Sequence, residues 1–498
     1  MRHLIFCFTI GLFSLSCLAQ SAPKYAAEVP QNILTPDQVN TKLLGELEFF
    51  DGMPTEETVN KAYDFMTVSR AANLFLDGMP AASLYAMLEG LKQAGLEAGD
   101  IGTFEKLMDA RTLFLTANSS TPYIVGEIDL KNGPVVLEIA QPALGFVNDA
   151  YFLHVADIGL TGEDQGKGGK YLFLGPDDAD QNREGYITVR SRSYRNWLLL
   201  RLVSQPEEAQ AAMDLFRSTF NLYPLAEART KPKQRFVDLS GQRFNTIHAN
   251  DFDFFKELDT VVQYEPASAF TPEFLGNLAA VGIKKGHKFD PDPHTKKLLE
   301  EGVAIGNAMA RAISFSPRNE SQYFYPDRKW YSSLTSGAHD FVNEGAIVLT
   351  DRVAFHYLAT GITPAMAAPA VGTGSVYAFA AHDAQNQFLD GGKTYQVTLP
   401  APVPAKDFWS FMVYSTQHRS MLETDQKLAG LDNLSPDVKP NKDGSYTVYF
   451  GPKAPKGKEN NWVQTIPGKA YCVLLRLYGP LEPWFDKSWK PGDFELLK

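Results

Sequence analysis

The apolar residues change their period three times along this chain, and that succession limits the fold more than any single motif. From about Thr55 to Leu96, Ala62, Phe65, Met66, Ala72, Leu74 and Phe75, then Leu84, Met87, Leu88 and Leu91, recur at helical spacing. Gly78-Met79-Pro80 interrupts the run, so a helix pair is expected, with Glu56 and Glu57 in its first turn matching the helix dipole. The stretches Val135 to Ile139, Tyr151 to Ile158, Tyr171 to Leu174 and Tyr186 to Val203 are then rich in β-branched and aromatic residues. Glycines separate them, and Lys131-Asn132-Gly133 is read as a hairpin turn. A helix is expected from Pro206-Glu207-Glu208 to about Phe220.

Helical spacing returns between about Asp251 and Phe315, where Leu298, Leu299, Val303, Ile305, Ala308 and Ala312 mark one amphipathic segment. The last third reads as strands at Ser375 to Ala381, Thr394 to Leu399, Phe408 to Tyr414, Tyr446 to Phe450 and Tyr471 to Leu477. An antiparallel sandwich or jelly roll fits that pattern. A chain of 498 residues exceeds one core. The expected class is α+β, mainly β, with a signal peptide over 1–19 and an N-terminal helical segment over 32–110. A first β-domain over 111–240, a helical domain over 241–325 and a C-terminal β-domain over 326–498 follow.

Export is read from the first 22 residues: Arg2, the apolar run Leu4 to Leu18, and the small residues of Cys17-Leu18-Ala19 before a cleavage point after Ala19. The run is shorter than a bilayer span, no later stretch qualifies, and Ser14 departs from a lipoprotein signal. A periplasmic or secreted location follows. Cys7 and Cys17 would leave with the signal, and Cys472 would remain as a single thiol within the apolar run Ala470 to Leu477. A buried structural thiol is expected there, with no intramolecular disulfide. The net charge of −11 is spread along the chain without a basic block, which disfavours nucleic acid as a partner.

Gly-x-Ser-x-Gly, His-Glu-x-x-His and Cys-x-x-Cys are all missing from the sequence. His248, Asn250 and Asp251 lie together where strand signals give way to helix signals. His248 could act as a general base or metal ligand oriented by Asp251. Alternatively, Asn250 or Asp251 caps the next helix and His248 is hydrogen-bonded within an interface, and this second reading is preferred. His339-Asp340, His356-Tyr357 and His382-Asp383 lack the compact spacing of a metal site, and no cofactor or metal is specified. Gln417-His418-Arg419-Ser420 and Lys458-Glu459-Asn460-Asn461-Trp462 form a third group. Arg419 could grip a carboxylate or phosphate, or pair with Glu459, while Trp409 and Trp462 offer stacking faces.

Thr121-Pro122-Tyr123, Gly133 to Glu138, Gly168 to Leu172 and Phe244 to Asp251 resemble the bacterial family called domain of unknown function 1254. Phe355 to Met366, Leu389 to Lys393, Phe408-Trp409-Ser410, Asn441 to Tyr449, Glu459 to Trp462 and Leu475 to Asp486 resemble its C-terminal companion, domain of unknown function 1214. The resemblance implies an N-terminal immunoglobulin-like β-sandwich, a helical insert and a C-terminal jelly roll, and it supplies no reaction. The leading expectation is an exported protein that binds or processes a small molecule or glycan in a cleft between its β-domains. Tyr123, Trp409, Arg419 and Trp462 are the candidate ligand-binding residues. One alternative is a hydrolase using His248 and Asp251, perhaps with a metal; another is a structural role through a homo-oligomer interface.

Overall fold

Alternating side chains build two β-sandwiches, and helices cover the faces those sandwiches leave open. The structure is a computed structural model that describes residues 28–202 and 208–497. The expected signal peptide, and Pro206 and Glu207 at the expected helix start, lie outside the described residues. No described helix is long and apolar enough to cross a membrane. Residues up to Phe65 and from Met66 onward cluster as two units. In the first, Gln38–Thr41, Gly45–Phe50 and Met53–Pro54 form a small antiparallel sheet, and the Thr58 hydroxyl donates to the Glu48 carbonyl.

Within the second unit, one six-stranded sheet runs in the order Phe236–Asp238, Ile101–Thr103, Ile124–Asp129, Arg195–Leu202, Ala143–Asp149, His154–Gly159. It faces a four-stranded sheet of Ile187–Arg190, Gly169–Leu174, Val135–Ile139 and Asn221–Pro224. Leu198 and Leu200 point into this sandwich with Ile124, Val147, Leu137 and Phe173. The odd-numbered neighbours Trp197 and Leu199 point out the other side, as the two-residue period of a strand requires.

The C-terminal sandwich packs Ser375–Ala380, Tyr471–Pro480, Ala405–Ser415 and Gly430–Asp432 against Trp462–Gln464, Tyr446–Gly451, Tyr395–Leu399 and Glu495–Leu496. Val473, Leu475 and Leu477 fill its interior with Trp409, Phe411, Val397 and Phe450. Cys472 and Leu474 again face outward. The third and largest core therefore joins the outer faces of both sandwiches: Val125, Phe146, Trp197 and Leu199 from one, Met412, Tyr414, Cys472 and Leu474 from the other. Each large side chain so buried is worth about 1.5–3 kcal/mol.

Two expectations are corrected here. A single helix, Glu56–Gln93, replaces the expected pair and contains Pro80. Its 71–82 stretch is held by tertiary burial of Ala71, Leu74, Phe75, Met79, Ala81 and Ala82, which outweighs the break signal. Gly78 serves close approach, since a Cβ there would lie 2.8 Å from Leu258 Cδ1. The second correction concerns Lys131-Asn132-Gly133. Gly133 N donates to the Leu130 carbonyl in a turn, but the strands on either side belong to opposite sheets, so the turn is a sandwich corner and not a hairpin.

The helical region resolves into Asp253–Tyr264, Pro272–Ala280 and Pro293–Phe315. Asp292 caps the last of these by accepting from His294 N and Thr295 N. Gly302 and Gly306 on that helix meet the helix Glu56–Gln93 closely, because a Cβ would fall 2.3 Å from Ala71 Cβ and 2.8 Å from Phe75 Cβ respectively. Only hydrogen fits at those two contacts.

Candidate functional site

Where the outer faces of the two sandwiches do not meet, they leave a cavity of about 300 Å³. Strand Arg195–Leu202 presents Trp197, Leu199 and Arg201 to it, and Phe146 joins from the neighbouring strand opposite Leu199. From the facing sheet, Tyr377, Leu474, Arg476 and Tyr478 complete the wall. Phe355, Ala359 and Thr360 close one side from the end of helix Leu349–Leu358, and Trp484 closes another. Exposed Lys487 stands at the rim, 4.8 Å from the Phe324 ring centroid.

The lining is largely aromatic and aliphatic, and its charged residues are all cationic. No Asp or Glu lines the cavity among the described residues. Arg476, 2% exposed, donates through Nη2 to the Thr116 carbonyl at 2.5 Å and to Tyr414 Oη at 2.8 Å. Its Nε and Nη1 are buried without a partner. Arg201 lies 5.5 Å from the Tyr123 ring centroid. Trp197 Nε1 and Thr360 Oγ1 are also buried and unpartnered. An unsatisfied buried polar group costs about 1–3 kcal/mol, so several of them around one void call for an explanation. They expose no surface to the void and so belong to the packed wall behind it.

The candidate residues read from the sequence fall in five places. Tyr123 lines the cavity and accepts a hydrogen bond from Asn118 Nδ2 at 2.5 Å. Trp409 is in the interior of the C-terminal sandwich, 5.0 Å from the Tyr446 ring centroid, and so offers no face to a ligand. Trp462 is partly buried and donates from Nε1 to the Gly451 carbonyl at 2.9 Å.

Arg419 and His248 come together in a separate buried cluster. Arg419 Nη1 lies 3.4 Å from His248 Nε2, Nη1 also donates to the Tyr357 carbonyl at 3.2 Å, and the guanidinium stacks 4.1 Å from the Tyr357 ring centroid. Asn250 Oδ1 accepts from Arg419 Nη2 at 3.4 Å. His248 Nδ1 is 2.8 Å from the Ala249 carbonyl, which can only accept, so Nδ1 carries the proton and Nε2 faces the arginine as an acceptor. Burial, reinforced by the Arg419 charge, pushes the imidazole down to about 3. Burial likewise brings Arg419 down to about 10. Arg419 also holds a left-handed φ of 64°, which is costly for a side chain of its size. Asp251 does not join this cluster: it is exposed, and its Oδ1 accepts from Asp253 N at the start of helix Asp253–Tyr264. Glu459 accepts from Gly457 N instead of pairing with Arg419. No group of three or more His, Cys, Asp or Glu among the described residues is placed to hold a metal.

Arg201 and Arg476 were not among the residues singled out from the sequence, although a signal existed. The tetrapeptide Leu-Leu-Arg-Leu occurs at 199–202 and again at 474–477, each time in an apolar strand. A charge in such a run costs too much to be placed there without a role.

Residues 99–224 match the family described as Protein of unknown function (DUF1254), and residues 374–482 match Protein of unknown function (DUF1214). No curated protein matches the chain. Among solved structures, the VPA0106 protein from Vibrio parahaemolyticus aligns with a TM-score of 0.52 at 18% identity, covering 87% of this chain and all of its own. An uncharacterised protein from Burkholderia cenocepacia aligns with a TM-score of 0.38 at 13% identity, covering 88% of this chain and 96% of its own. The first of these likenesses speaks to the fold. Tyr123, Trp197 and Arg201 fall in the first matched segment and Tyr377, Arg476 and Tyr478 in the second, so the two walls of the cavity come one from each. The chain carries a DUF1254 segment followed by a DUF1214 segment.

Proposed function

We propose that the protein binds a small organic molecule in the cavity between its two sandwiches. The observation that carries this reading is a void of about 300 Å³, walled by aromatic rings and bordered by two arginines and a lysine with no Asp or Glu among the described lining residues. That volume is at the small end of ligand pockets, which hold a compact molecule. A mainly apolar wall suits such a molecule better than a glycan chain, whose hydroxyls would need many more partners. Ala359, 7% exposed and on the wall, provides the test. A tryptophan at that position fills the void, so Ala359→Trp is expected to abolish the ligand-induced rise in melting temperature seen with the parent protein. Equal stabilisation of both proteins by the same compound would place its site elsewhere.

We also propose that the protein is exported to the periplasm or beyond, cleaved after Ala19. The support is the arginine-led apolar run over residues 2–18. Intact mass measurement of the product expressed in a bacterial host should give a chain that starts at Gln20. A chain that retains Met1 would overturn the proposal.

A further inference from the structure

We infer that the bound molecule is an organic oxyanion with an aromatic body, its carboxylate or phosphate head held by Arg201 next to the buried charge of Arg476. This inference rests on the binding reading above and specifies its chemistry. At neutral pH an arginine carries its charge. A buried charge is normally paired, because leaving water is otherwise expensive. Here two arginines face one void, repel each other, and have no carboxylate partner among the described residues. Their neighbours are tyrosine rings, which meet a cation through their faces but do not neutralise it.

Arg476 Nε and Nη1 and Trp197 Nε1 lie unpartnered within the wall and expose no surface to the void, so Arg476 bears on a bound molecule through its charge. A site bordered by positive charge without a carboxylate selects an anion. It rejects a cation, which would add like charge, and it gives a neutral amide no charge pairing. Lys487 at the rim adds a third positive charge on the entry side. Much of the rest of the wall is rings and aliphatic chains, with Phe146, Leu199 and Phe379 as examples, set beside the hydroxyls of Ser332, Ser333 and Ser375, and the apolar part accommodates a flat apolar body.

The test uses the full chain without its first 19 residues, with thermal melts and calorimetric titration. The probes are benzoate, 1-naphthoate, indole-3-carboxylate and phenyl phosphate, each set against a neutral partner: the primary amide of each acid, and phenol. The expected result is that at least one anion raises the melting temperature and binds measurably while its neutral partner does neither. Arg201→Met should then weaken that anion about tenfold to a hundredfold, the usual range for losing a charged hydrogen-bond donor. Arg201→Lys should recover part of the loss. Preference for the carboxylates or for phenyl phosphate identifies the head group. Neutral partners binding as tightly as the anions, or an Arg201→Met variant with unchanged anion affinity, would overturn the anion assignment and leave small-molecule binding standing. If neither anions nor neutral probes bind, both readings fall.

Discussion

Arg419 lies with its Nη1 3.4 Å from His248 Nε2, although 171 positions separate them in the chain. The imidazole is gripped from both sides, by this guanidinium and by the Ala249 carbonyl, and is bracketed edgewise by Phe75 and Phe254. A ring held in one tautomer with both nitrogens engaged fastens elements together.

His248→Ala should therefore lower stability by about 1–3 kcal/mol, through the acceptor lost to Arg419 and the ring packing lost between Phe75 and Phe254. Because His248 is not among the cavity wall residues, ligand affinity should change little. Denaturant melts and titration of the variant check both parts. Unchanged stability would contradict the fastening role.

The two cavity arginines should respond in opposite ways when no ligand is present. Arg476→Met removes hydrogen bonds to the Thr116 carbonyl and to Tyr414 Oη, and is expected to lower stability by about 1–3 kcal/mol. Arg201→Met removes a charge that has no ionic partner among the described residues and that Arg476 repels, so the empty protein should melt at the same temperature or higher. Melting curves of the two variants, measured without ligand, decide the matter.

Glu257 gives a pH test. Its carboxylate accepts from Ala249 N at 3.1 Å, but burial dominates and pushes it up to about 8 from an ordinary 4.5. A raised folded-state value means that the fold favours the protonated acid. The associated stability is complete below about pH 4.5 and is lost as the pH climbs through 8. Glu257→Gln lacks this titration. Its melting temperature should gain steadily on the parent between pH 5 and 8, and parallel curves would contradict the burial argument.

Cys472 is 1% exposed, and burial pushes its thiol up to about 12. A thiol reagent at pH 8 should label it at least about a thousandfold more slowly than in the denatured protein, since reaction waits on opening of the core. Fast labelling of the folded protein would show that the strand Tyr471–Pro480 does not pack as described.

Much of this architecture was legible in the order of residue types. The runs at Val135 to Ile139 and Tyr471 to Leu477 are strands, because branched and aromatic side chains suit a pleated, half-buried surface. Pro80 misled, since its local preference was outweighed by the buried neighbours Met79, Ala81 and Ala82. The turn at Gly133 was visible, but which sheet each flanking strand joins depends on contacts far along the chain.

The site was less legible. Tyr123 lines the cavity, while Trp409 is a core residue, because an aromatic side chain in a strand reads the same whether it faces inward or outward until the register is known. Arg201 and Arg476 were passed over for a related reason: each lies in an apolar strand, and only the meeting of two distant sheets shows that both charges border one void. His248 and Arg419 were singled out separately, and nothing in their spacing announces that they touch.

The third core takes side chains from both sandwiches as well as from the helices between them. If the gene were cut between residues 224 and 374, each product would carry an uncovered aromatic face, with Phe146 and Trp197 on one and Leu474 and Tyr478 on the other. Surfaces of that kind adhere to one another in water, so the separated halves would clump. Each sandwich of this protein is the other's cover.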